Sequence, residues 1–196
     1  MSTAPSKSNK ITRRDFSRTS AFGAASALFA FNLLPSGSRG ALERPALGAI
    51  GAGGKGRSDI EQCREVGFEI AALVDVIDTP KLKNIQGRMK STAQSRKDNT
   101  DARFFTDYRQ MLIDMGDRID AVTVSTPDHH HFHAAAMAMQ AGKHVYCQKP
   151  LTHGIWEART LAKLAEQTGV KTQMGNQGHA NDHMRRCVEL IRAGVI

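Results

Sequence analysis

At 196 residues, 40% hydrophobic and 23% charged, the chain has the make-up of an ordinary globular protein with room for a substantial core, and one domain is the default. Its formal net charge of +8 is unevenly spread, because residues 1–40 hold six Lys/Arg against the single acid Asp15 and leave the body nearly balanced. A body without a basic patch or stripe argues against a nucleic-acid partner, and three cysteines with no C-x-x-C pair are too few for a disulfide framework.

The first 40 residues read as a leader. Polar residues 1–10 precede Thr12 to Arg18, which contains the consecutive arginines Arg13 and Arg14. A moderately apolar run from Ala21 to Leu34 follows, and Pro35 to Ser38 break it. A charged start, an apolar middle and small residues make a secretory signal. The apolar run is shorter than the ~20 residues of a membrane-spanning helix, so no stable span is expected. The paired arginines resemble a twin-arginine (Tat) export signal, which implies the Tat machinery as a partner and a periplasmic or otherwise exported destination. An ordinary basic amphipathic N-terminus is the alternative. Cleavage is expected between about Ser36 and Ala41, with the body spanning 45–196.

Pro45 to Ile50 reads as a first strand, running into G-x-G-x-x-G at Gly51, Gly53 and Gly56, with Gly54 inside it. That spacing suits a tight turn, close approach of backbone to a pyrophosphate and close packing of the next helix, whose N-terminus faces the phosphates. A plain strand-to-helix turn is the competing reading. Ser58 to Val66 reads as a helix with Ile60, Cys63 and Val66 on one face. Phe68 to Val76 reads as a second strand, apolar enough to lie in a parallel sheet covered on both sides. Asp75 at its end lies 24 residues past Gly51, where an acid accepts the adenosine ribose hydroxyls and disfavours a 2′-phosphate. The pattern therefore favours NAD over NADP. Asp78 fits a capping role better.

Thr79 to Lys97 reads as a solvated helix whose charges face water. Ala102 to Thr106 is a short strand, Tyr108 to Met115 a helix closed by Gly116, and Asp120 to Ser125 a fourth strand ended by Thr126-Pro127. Asp128 is the expected N-cap of an alanine-rich helix from His129 to Ala141. Lys143 to Gln148 is a fifth strand ended by Lys149-Pro150, and Thr152 is the expected cap of a helix reaching Gln167. Lys171 to Met174, a loop over Gly175 to Gly178, and a helix from His183 to Ala193 complete the chain. Alternating strands and helices predict an α/β fold with a doubly wound parallel (Rossmann) sheet. Gly51, Asp75, Thr126, Pro127, Lys149, Pro150 and Asn176, all at strand ends, should line one crevice. Cys63, Cys147 and Cys187 are expected as buried small hydrophobes, with one disulfide open to an exported protein. His129 and His133 are spaced to share a metal on a helix, but no second ligand set accompanies them, and no metal is expected.

The run from Ser125 to His153, STPDHHHFH…AGKHVYCQKPLTH, resembles the Gfo/Idh/MocA oxidoreductases. The resemblance implies hydride transfer between NAD(P) and a sugar or polyol. It places Thr126 and Pro127 against the dinucleotide, His131 in support of their loop and Asn176 on the nicotinamide side. It makes Lys149 the catalytic lysine beside the substrate hydroxyl. The family's Glu-Lys-Pro reads Gln148-Lys149-Pro150 here, and a neutral Gln148 would withdraw an anion from the lysine. The form Gly175 to His179 resembles an exported subgroup. The family's second, mixed-sheet domain, which builds the substrate pocket and often the homo-oligomer interface, has no counterpart in the 196 residues. A truncated sequence, inactive alone, is one expectation. An NAD-dependent glycosidase and a non-catalytic dinucleotide-binding or interaction module are the others.

Overall fold

The computed structural model describes residues 44–196, so the leader expectations fall outside the described residues. Six strands form one parallel sheet: β1 (Ala46–Ile50), β2 (Glu69–Val74), β3 (Arg103–Phe105), β4 (Ala121–Val124), β5 (His144–Gln148) and β6 (Thr172–Gly175). Their order across the sheet is β3-β2-β1-β4-β5-β6. Chain order reverses between β1 and β4, where Leu47 pairs with Ala121 and Ile50 with Val124. That reversal opens a crevice at the carboxyl ends.

The helices are α1 (Lys55–Glu65), α2 (Arg88–Asp98), α3 (Tyr108–Met115), α4 (Asp128–Gln140), α5 (Ile155–Thr168) and α6 (Asp182–Arg192). The two-residue side-chain period of β1 sends Leu47 and Ala49 into a core with Ile60 of α1 and Leu73 of β2. Ala46 and Ile50 join the opposite core with Met111 of α3, Ala135 of α4 and Leu161 of α5. Gly48 has no side chain because Met111 Sδ stands 2.9 Å from where its Cβ would be. Both faces of the sheet are thus covered, as the apolar run of β2 requires.

Several boundaries differ from the sequence expectation. α1 starts three residues early, at Lys55, and ends at Glu65, so Val66 is an exposed cap residue instead of a core residue. The expected helix from Thr79 to Lys97 is a 3-10 turn over Thr79–Lys81, an irregular stretch, and then α2. Pro80 sits in the turn, and Gly87, with φ +53°, breaks the chain before Arg88. α2 is not simply a solvated face, because Thr92 and Ser95 are buried. Asp128 is the first residue of α4 and not its N-cap, although its carboxylate still accepts from the His129 N–H at 2.9 Å. Thr152 does not cap α5 either. Gly154 holds that position, and Glu157 accepts from the N–H groups of Gly154 (2.9 Å) and His153 (3.0 Å). Of the cysteines only Cys147 is buried; Cys63 is half-buried and Cys187 lies exposed on α6, a helix with no buried residue. All three are free thiols.

Candidate functional site

The glycine loop leaves β1 at Gly51, whose φ of +90° turns the chain while its N–H donates to the Val74 carbonyl at 2.9 Å. A Cβ on Gly51 would lie 2.8 Å from the Ser125 backbone, and one on Gly56 would overlap the Gly51 carbonyl oxygen. Gly56 therefore lets α1 seat directly on the loop, as its place in the spacing predicts. Gly53 carries a further constraint. Its Cβ would run into the Thr92 hydroxyl and come within 3.4 Å of Asp75 Oδ2.

Thr92 belongs to a face of α2 that sequence reading took for solvated surface. The Gly54 N–H donates to Ser91 Oγ at 2.6 Å, and the Ser95 hydroxyl donates to the Ala52 carbonyl at 2.7 Å. The Thr92 hydroxyl donates to Asp75 Oδ2 at 3.0 Å, while Asp75 Oδ1 accepts from the Ile77 N–H at 3.2 Å. Helix α2 thereby latches the loop and aims the acid. The hydroxyls at 91 and 92, with 95 one helical turn on, were the available signal. Asp78 is occupied elsewhere: Lys81 and Arg96, each at 2.8 Å, hold its carboxyl below the usual range.

The other half of the crevice is built by His131, which is buried on α4. Its Nε2 lies 2.7 Å from the Thr126 carbonyl and its Nδ1 2.7 Å from the Pro150 carbonyl. One ring therefore ties the ends of β4 and β5 together. Thr126 Oγ1 is buried at this junction without a hydrogen-bond partner among the described residues. A buried hydroxyl left unpaired calls for a polar partner, an ordered water or a ligand. Lys149, Pro150 and Asn176 stand on the exposed lip, at the ends of β5 and β6.

Gln148 has a partner on α1 that the sequence did not foretell. Exposed Lys149 follows it, but Gln148 itself is buried. Its amide donates to both oxygens of buried Asp59, at 3.1 and 2.9 Å. Asp59 also accepts from the Ser125 hydroxyl at 2.7 Å and pairs with Lys55 at 2.7 Å. Asp59 thus brings a buried carboxylate from α1 to the end of β5. Gly175 of β6 leaves room for this amide, since its Cβ would lie 2.9 Å from Gln148. Sequence reading missed Asp59, which is three residues past Gly56 with no motif around it.

Among the described residues no group of three His, Cys, Asp or Glu side chains is gathered to hold a metal. His129 is exposed, and His130 packs edge-on against Tyr108 with ring centroids 5.2 Å apart. Burial and the neighbouring His133 push the His130 pKa below its ordinary value. No helix among the described residues is long and apolar enough to cross a membrane. An apolar cavity between α5 and the β5–β6 pair is lined by Val145, Cys147, Leu161 and Met174 and by none of the strand-end residues. The chemistry-bearing groups lie instead along the open edge of the sheet.

The family model for Gfo/Idh/MocA proteins, described as an oxidoreductase family with an NAD-binding Rossmann fold, matches residues 46–176. Glycosyl hydrolase family 109 protein 1 of Shewanella sp. (strain ANA-3) is 30% identical over 160 residues, covering 79% of this chain and 33% of that protein. The uncharacterized oxidoreductase YrbE of Bacillus subtilis is 26% identical over 150 residues, covering 76% of this chain and 40% of that protein. Among solved structures, GenD2 from gentamicin A biosynthesis, in complex with NAD, aligns with a TM-score of 0.64 at 26% identity, over 80% of this chain and 41% of its own. The chain thus spans well under half the length of these relatives.

Proposed function

The chain belongs to the Gfo/Idh/MocA oxidoreductases, its described residues forming their NAD-binding Rossmann domain, and from that premise we propose that it holds the cofactor of an exported enzyme acting on a sugar or polyol. The observation that carries the reading is the unpaired Thr126 hydroxyl, buried beside Gly51 where chain order reverses. The residues present fit a dinucleotide. Gly51 and Gly56 let the loop turn tightly and seat α1 upon it, Asp75 is aimed by Thr92 towards ribose hydroxyls, and Thr126, Pro127 and Asn176 flank the nicotinamide end. A carboxylate at Asp75 repels a 2′-phosphate, so NAD is preferred to NADP.

The chemistry that NAD supplies when bound is acceptance of a hydride from a carbinol carbon, whose hydroxyl loses its proton as the carbonyl forms. Lys149 is the residue assigned to that oxygen. A cation beside it stabilises the negative charge that grows as the proton leaves. His131 holds the Thr126 and Pro150 carbonyls at fixed separation, and so keeps Lys149 in register with the loop.

A second reading is favoured by the 30% identity to a glycosyl hydrolase family 109 protein. In it the same hydride step is transient and serves cleavage of a glycosidic bond. Assays on the protein from its natural source separate the two. Polyol- or sugar-dependent NADH formation, abolished by Lys149→Ala, supports the oxidoreductase. Release of sugar from an aryl glycoside with no net NADH supports the glycosidase, and neither activity, in protein that binds NAD, counts against both. Export rests on the Arg13-Arg14 leader. Residues 1–40 fused to a reporter should direct it across the membrane through the Tat route. Unchanged export after replacing both arginines by lysine would refute that route.

A further inference from the structure

One guanidinium beside the glycine loop has no partner among the described residues. α1 opens with the cations Lys55 and Arg57, but both are held, Lys55 by Asp59 at 2.7 Å and Arg57 by Glu61 at 2.9 Å. Arg88, the first residue of α2, is exposed, and its guanidinium makes no hydrogen bond or ion pair among the described residues. Its stem lies along the loop, with Cδ and Nε 3.8 Å from where a Cβ on Gly54 would stand. The first turn of α2 contains Arg88 and Lys90 and no acid, the unfavourable sign for a helix start unless an anion is near. The Ser91, Thr92 and Ser95 bonds to the loop and to Asp75 fix α2, and so fix where Arg88 emerges.

We propose that Arg88 is a phosphate ligand of the bound dinucleotide, closing the diphosphate cradle from the side opposite α1. The proposal rests on the dinucleotide reading of the loop. Guanidinium suits the task because its planar fork meets two phosphate oxygens at once. The diphosphate is favoured over a ribose 2′-phosphate by position. Arg88 stands over Gly54, within the loop, whereas the ribose side is occupied by the Asp75 carboxylate.

The test is NADH fluorescence titration of the 196-residue chain, with NADPH titrated in parallel and ADP and adenosine as competitors. Arg88→Ala is expected to weaken NADH and ADP alike, by about tenfold, the scale of one charge-assisted contact. Adenosine, which has no phosphate, should bind the variant as it binds the wild type, and Arg88→Lys should recover part of the loss. The salt dependence of NADH binding should also flatten in Arg88→Ala. An equal loss for adenosine would overturn the proposal, since the damage would then be to the pocket at large. A loss confined to NADPH would overturn it in favour of the 2′-phosphate, and unchanged NADH and ADP binding would overturn it outright. A folded wild type that binds neither NADH nor ADP would instead overturn the dinucleotide reading beneath it.

Discussion

Replacing Gln148 by Glu tests the buried network under the crevice. The amide now donates to both oxygens of Asp59, and both residues are almost fully buried, at 5% and 3% exposed. The substitution keeps the shape and removes the donor, leaving two carboxylates about 3 Å apart. At an effective dielectric of ~20, two full charges at that separation repel by about 5 kcal/mol. Lys55, 2.7 Å from Asp59, offsets part of this, and the lost charge-assisted bond adds about 1.5–3 kcal/mol. The site can relieve the repulsion by keeping one proton, which restores a donor between the two groups. A net destabilisation of about 2–4 kcal/mol near neutral pH follows. The sign with pH is fixed. A new carboxyl whose folded pKa is raised above its unfolded value of about 4.3 binds its proton more tightly in the native state. Stability of the variant is therefore nearest wild type in mild acid and is lost as pH rises through the folded pKa. Urea unfolding of both proteins at about pH 5 and about pH 7.5 measures it, using midpoints at constant slope. A deficit equal at the two pH values, or below about 0.5 kcal/mol at neutrality, would refute the buried pairing of Gln148 with Asp59.

Three further outcomes are expected. His131→Ala removes both ties between the Thr126 and Pro150 carbonyls and should cost about 2–4 kcal/mol in chemical denaturation; a loss under about 1 kcal/mol would contradict the bridge. His130 has its folded pKa depressed, first by burial and then by His133, so the unfolded chain takes up the proton first as pH falls. Stability should therefore fall as pH drops below about 6.5, and His130→Phe, which keeps an aromatic ring against Tyr108, should flatten that fall in thermal melts across pH. Thiol titration with a disulfide reagent should label exposed Cys187 at once and half-buried Cys63 slowly. Cys147, whose pKa burial pushes up to about 12, should react only on unfolding, and its prompt labelling in native protein would contradict the core assignment.

The parallel sheet was legible because its strands carry period and punctuation together: β2 is apolar from Ile70 to Val74, and Thr126-Pro127 and Lys149-Pro150 follow the ends of β4 and β5 within two residues. The loop and Asp75 were legible because their spacing follows from a local strand–turn–helix–strand unit. The helix ends at Asp128 and Thr152 were misread because a capping residue type names a helix start only to within a residue or two, and Glu157 supplied the cap from inside the helix. What stayed hidden was long-range. Ser91 meets Gly54 across 37 positions and Gln148 meets Asp59 across 89, and no local pattern encodes either contact. The basic composition of 79–97 drew attention to its solvated side and away from three hydroxyls on the other. Gln148 looked like a lost charge because the acid that complements it sits on a different element.

Binding at the switch point is tested most directly by NADH titration of the ¹⁵N-labelled 196-residue chain, read residue by residue in its amide spectrum. Saturable shifts should concentrate at Gly53, Gly54 and Lys55, at Asp75 and at Thr126, with Asp75→Ala weakening NADH and narrowing its advantage over NADPH. A folded chain that shows no saturable shifts, or shifts centred on α6 instead of the glycine loop, would contradict it.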